Sequence, residues 1–299
     1  MRTIKKVASH IFIDGFGGMT QGLFATLIIG TMIQQIGLLI GGSTGNVIYL
    51  LGKAAAALTS AGIGVGVAVK YGESPLVTVS AAVAAMVGGY AGKITGGTFF
   101  VDGNAVLAGP GEPLGAFIAA FAGITCGHLV SGKTKVDIIV TPVITIGAGS
   151  VVGLLVGPPI SQMMTGLGSI INWATEQRPF IMGIVVSVVM GMVLTLPISS
   201  AALGIILNLS GLAAGAATIG CCCNMVGFAV ASYRENKFGG LVAQGLGTSM
   251  LQVPNIMRHP LIWLPVIFSS AILGPVSTIL ANMQNNATGS GMGSAGLVG

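Results

Sequence analysis

The sequence is short of charge. Of its 299 residues only 6% are Asp, Glu, Lys or Arg, where a soluble domain carries about 25%. So few ions cannot cover the surface of a soluble chain this long, because its polar atoms must face water. That excludes an ordinary soluble enzyme or binding module. Aromatics are equally scarce at 6%, which leaves few rings for a stacking platform. The four cysteines are Cys126 and the run Cys221, Cys222 and Cys223. They form no C-x-x-C pair, and the run reads as small packing residues in an apolar stretch rather than a metal site. His10, His128 and His259 are isolated, and neither an H-x-x-x-H pair nor a Walker loop occurs. GGSTG, Gly41 to Gly45, matches G-x-S-x-G formally but lies between two apolar runs and reads as a loop. No catalytic constellation, cofactor or metal is therefore expected. Basic residues are too scattered for nucleic acid.

What is present is apolar sequence, at 53% of residues, together with 49 glycines. Small residues suit close helix packing in lipid. Near-continuous apolar runs of about 20 residues read as membrane spans. They cover Met19–Ile40 (after an amphipathic lead-in, Val7–Phe16), Asn46–Val69, Pro75–Gly92, Leu114–Leu129 and Val136–Val156. The last should stop at Gly157-Pro158-Pro159, leaving Ile160–Glu176 along the interface. Further runs are Phe180–Leu207, broken at Pro197, then Leu212–Ala231 and Leu261–Met283. The expected fold is all-α: one membrane-embedded domain over 1–299, with about 8–10 transmembrane helices plus re-entrant hairpins.

The hairpin candidates are Gly96–Pro113, Phe238–Pro260 and Asn285–Gly299. They are too rich in glycine for stable helices and too apolar for solvated loops. Irregular backbone at membrane depth is tolerated only inside protein or along an aqueous cavity, and broken helices point to transporter binding sites. Arg2, Lys5 and Lys6 favour a cytoplasmic N-terminus, and Lys133 and Lys135 return to that side after four spans. MRTIKK is basic, but the apolar stretch beyond it runs on as a span, so no cleavable signal peptide is expected.

Ionisable residues at membrane depth are functional candidates. Glu112, in AGPGEPLGA, precedes Pro113 at a helix start. It reads either as a capping carboxylate or as a solute or proton ligand. Asp102 and Asn104 share its irregular segment and either line a cavity or make turns. Asp14 reads as an interfacial turn and Lys53 as a snorkelling side chain. Thr248, Ser249, Gln252 and Asn255 crowd one short stretch. On a helix, Thr248, Gln252 and Asn255 would share a face, though Pro254 interrupts. Interhelical hydrogen bonding and binding of a polar solute are the alternatives for these four, and for Asn224. Trp173 and Trp263 sit where interfacial anchors belong.

The strings AGPGEPLGAFIA, LTLPISSAA, GLAAGAATIGCCCNMVGFA, SYRENKFGGLVAQGLGTSMLQVPN and GSGMGSAGLVG resemble the membrane-embedded IIC component of the phosphoenolpyruvate-dependent sugar phosphotransferase system. More narrowly, they resemble its stand-alone, perfringolysin-regulator-like branch. Glu112 stands where that family often has an acidic residue after GPG. The resemblance implies a homodimeric, multi-pass carrier in a bacterial cell membrane, moving a sugar by alternating access. Separate IIA and IIB subunits would do any phosphorylation, and the chain itself is not an enzyme. The expected solute-contacting residues are Glu112, Asn104, Asn224, Thr248, Ser249, Gln252 and Asn255. The alternatives are a membrane sensor that keeps a transporter fold, a carrier of a small organic anion, and a channel.

Overall fold

A computed structural model describes residues 14–107, 109–207 and 209–299. Most of the expected lead-in, Val7–Phe16, lies outside them. The described chain is almost wholly helical. Among the described residues five helices are long and apolar enough to cross a membrane: Phe16–Ile40, Pro113–Val130, Asp137–Thr175, Gly211–Ala231 and Pro260–Leu280. A pair bent by 54°, Gly42–Ala57 with Thr59–Lys70, is either a broken sixth span or a re-entrant loop, and Pro75–Gly89 and Pro179–Thr195 are shorter apolar helices. The fold is that of an all-α polytopic membrane protein.

Proline sets many of the boundaries. It occupies the first turn of α5 (Pro75–Gly89), α7 (Pro113–Val130) and α9 (Pro179–Thr195), where its fixed φ is already helical and its missing N–H costs nothing. Leu196, just before Pro197, is extended (φ −74°, ψ 160°) and ends α9, because the proline ring disfavours a helical residue ahead of it. The chain resumes as α10 (Ser200–Ile206). One expectation fails. Helix α8 (Asp137–Thr175) runs unbroken through Pro158 and Pro159 for 39 residues. Proline's φ is compatible with a helix, and neighbouring helices can hold a membrane helix across its missing hydrogen bonds.

The residues divide into two compact units. The first takes 14–30 and 50–162, the second Thr31–Tyr49 and Met163–Gly299. In the first, α1 (Phe16–Leu23), α4 (Thr59–Lys70), α5 and α7 pack on one another. Helix α2 (Ile29–Ile40) continues from α1 through one π turn, and α3 (Gly42–Ala57) bends by 54° into α4. A methyl group at Gly22 would overlap the Gly62 carbonyl, and one at Gly88 would overlap that of Gly115. Glycine thus lets α1 meet α4, and α5 meet α7, backbone to backbone. At one end, Glu73 meets His128 Nδ1 at 3.0 Å and the Ser74 and Ser131 hydroxyls lie 2.9 Å apart.

The second unit centres on α9, α11 (Gly211–Ala231) and α14 (Leu264–Pro275). Gly220 presses on the Ser187 carbonyl and Gly183 on Gly274. Between α11 and α14 the chain makes α12 (Tyr233–Val242), a π turn, extended Thr248, a 3-10 turn (Ser249–Gln252) and α13 (Val253–Arg258). The segment after α14 folds back through α15 (Ala287–Ser290), where the Ser200 hydroxyl donates to the Gly291 carbonyl at 2.6 Å.

Candidate functional site

Glu112 is the N-cap of α7, as the helix-start reading expects, although its side chain caps no backbone N–H there. Its own N–H donates to the Gly89 carbonyl at 2.7 Å. Gly109 and Pro110 before it are tied down. The Ser60 hydroxyl donates to the Pro110 carbonyl at 2.9 Å, and the Tyr90 hydroxyl donates to the Gly109 carbonyl. Gly111 has φ +78°, and a side chain there would strike the Ser60 hydroxyl. The carboxylate is therefore carried on a rigid turn at the end of α5, beside the start of α4. Its Oε1 atom is buried.

Asn104 lies apart from this turn along the chain, in a two-stranded hairpin: β1 (Phe100–Val101) pairs with β2 (Asn104–Ala105). Asp102 (φ 50°) and Gly103 (φ 77°) make its turn, the backbone that a two-residue hairpin loop favours. This is the turn role weighed for Asp102. Asn104 is exposed and donates to the Asp102 carbonyl at 3.3 Å.

In the second unit the polar residues join into two networks. Asn224, fully buried on α11, is the hub of the first. Its Nδ2 donates to the Gly220 carbonyl at 3.1 Å and to Ser270 Oγ at 3.2 Å. Its Oδ1 accepts from Trp263 Nε1 at 3.0 Å and faces Thr195 Oγ1 at 3.1 Å. Thr195 also meets the Ser249 hydroxyl at 2.8 Å. The ladder Ser232–Gln244–Gln252–Asn255 forms the second network. Gln244 donates to Ser232, Gln252 to Gln244 and Asn255 to Gln252, each at 2.8 Å. Gln244 and Gln252 are buried, and Asn255 reaches the surface.

Thr248 does not share a helix face with Gln252 and Asn255. It is extended (φ −160°, ψ 140°), and its hydroxyl accepts from the Met250 N–H at 3.1 Å. All these groups are neutral hydrogen-bonding side chains, and most of them are buried in an apolar unit, where an unpaired polar group is costly. They hold the broken stretch 243–258 against α9 and α11.

The sequence matches the family model described as Phosphotransferase system, EIIC over residues 13–299. The chain belongs to that family. No curated protein and no solved structure matches it. An EIIC protein is the membrane transport component of the phosphotransferase system, which agrees with the multi-pass character of this chain. In this EIIC chain, Glu112 and Asn104 belong to the first unit, and Asn224, Thr248, Ser249, Gln252 and Asn255 to the second. Sequence reasoning missed Thr195, Gln244, Trp263 and Ser270 as members of the networks. Gln244 carried a signal, an amide in the glycine-rich run FGGLVAQGLG.

Proposed function

We propose that the protein is a sugar permease of the IIC type. It would move a small polar solute across a bacterial cell membrane by alternating access, as a homodimer served by separate IIA and IIB subunits. The observation that carries this reading is the Glu112 turn: a carboxylate with one buried oxygen, rigidly presented at the start of a spanning helix. A carboxylate accepts hydrogen bonds from sugar hydroxyls and repels a carboxylate solute. That favours a sugar over a small organic anion. Asn104 in the first unit is proposed as a further solute contact. In the second unit the proposed contacts are Asn224, Thr248, Ser249, Gln252 and Asn255, with the exposed Asn255 best placed to meet a solute.

The test is uptake of labelled sugars into proteoliposomes, with wild type beside Glu112→Gln. The variant keeps the shape of the side chain and loses its charge. A charge-assisted hydrogen bond contributes about 1.5–3 kcal/mol, so uptake at limiting sugar should fall by about tenfold or more with unchanged thermal stability. Uptake equal to wild type would remove Glu112 from the site. Sugar binding without any uptake would turn the reading towards a sensor.

A further inference from the structure

The second unit contains a cavity of about 550 Å³ that the transport reading above does not use. Gln35, Ser210, Asn285 and Asn286 line it, with Leu209 and Val298 beside them. The volume falls within the range of about 300–1,000 Å³ typical of small-molecule sites. No charged side chain lines it among the described residues.

Its polar groups are of two kinds. Asn285 is fixed: its Nδ2 donates to Thr218 Oγ1 at 2.8 Å and to the Gly299 carbonyl at 3.0 Å, and its Oδ1 accepts from the Asn286 N–H at 2.8 Å. The Asn286 Oδ1 accepts from the Gly289 N–H at 2.9 Å, which orients its Nδ2. Gln35 and Ser210 are different. Gln35 belongs to the apolar span Phe16–Ile40 and is half-buried. Among the described residues no hydrogen bond engages its amide. Among the described residues the Ser210 hydroxyl likewise meets no partner, and as the N-cap of α11 it makes no side-chain cap bond. An amide on a spanning helix that faces a cavity instead of a protein partner is satisfied by water or by a ligand.

We propose that this cavity binds a neutral, hydroxyl-rich solute of mono- or disaccharide size. Gln35 supplies both a donor and an acceptor, Asn286 Nδ2 donors, Asn285 Oδ1 an acceptor, and Ser210 one of each. A hydroxyl is itself donor and acceptor, so a polyol can pair with every member of this set. An anion would leave the acceptors facing negative charge and would find no cationic donor. The inference rests on the transport reading for the kind of solute, and adds a binding site in the second unit.

The experiment is a thermal-shift and calorimetric titration of the purified full chain. The probes are neutral hexoses, pentoses, hexitols and disaccharides, with D-gluconate as the anionic counterpart. The variants are Gln35→Met and Ser210→Ala, whose lost groups bond to no described residue, so the unliganded melting temperature should not move. At least one neutral probe should bind, and Gln35→Met should weaken it by about tenfold, the most that one neutral hydrogen bond supplies. Wild-type affinity in both variants, tighter binding of D-gluconate, or no binding by any neutral probe would overturn the inference. Proteoliposome uptake of the same probes separates the two readings. Wild-type probe binding in both variants, with uptake lost in Glu112→Gln, sinks this cavity and leaves the permease standing. Absence of uptake for every probe sinks the permease itself.

Discussion

The indole N–H of Trp263, at the head of α14, donates to the side-chain oxygen of Asn224 in the middle of α11 at 3.0 Å. The ring body meanwhile packs against the buried cluster of Phe228, Ile256 and Val266. A residue read from sequence as an interfacial anchor thus also fastens three elements inside the protein.

Trp263→Phe should keep most of the packing and lose the donor. Thermal unfolding in detergent should show a loss of about 1 kcal/mol. No loss would mean that the Trp263–Asn224 contact contributes nothing net.

Asn224→Ala should cost more, because it strips partners from Trp263, Ser270 and Thr195 at once. A loss of about 1–3 kcal/mol is expected. In the double variant with Trp263→Phe the two losses should be less than additive, since the residues share one bond. Strict additivity would argue that they act separately.

Gly111→Ala leaves the Glu112 carboxylate in place chemically but not geometrically. The new methyl would need φ near +78° and would strike Ser60. Left-handed backbone costs a non-glycine residue about 1–2 kcal/mol. Sugar uptake should fall towards that of Glu112→Gln while the protein remains folded. Uptake at the wild-type level would show that the rigid turn is not needed to present the carboxylate.

Gly22→Ala tests helix contact in the first unit. The Gly62 carbonyl occupies the space the methyl would need, and overpacking typically costs about 1–3 kcal/mol. A lower melting temperature is expected. Adding Gly17→Ala instead, where only the end of the Lys70 side chain is near, should change little.

The spans were legible because their signals are local. Apolar runs of span length, Pro75 and Pro113 at helix starts, and Pro197 at a break each act on the residues beside them. Pro158 and Pro159 misled for the same reason: the local rule predicts a stop, whereas whether α8 survives depends on what packs around it. The composition of the polar stretch was legible too, since Thr248, Ser249, Gln252 and Asn255 crowd one segment. Its wiring was not. Asn224 meets Trp263 across 39 residues and Ser270 across 46, and Thr195 meets Ser249 across 54. No spacing rule reaches that far. Gln35 stands in the sequence only as one of a pair of glutamines in an apolar run, with no proline, glycine break or cluster of polar neighbours to mark it.

The two networks of the second unit are built from Ser, Thr, Asn, Gln and one Trp. None of these side chains gains or loses a proton across the physiological range. The linkage that holds the stretch 243–258 to α9 and α11 is therefore blind to acidity. Any proton sensitivity in the protein's working cycle must enter through other groups, and this scaffold should keep its geometry on either side of an energised membrane.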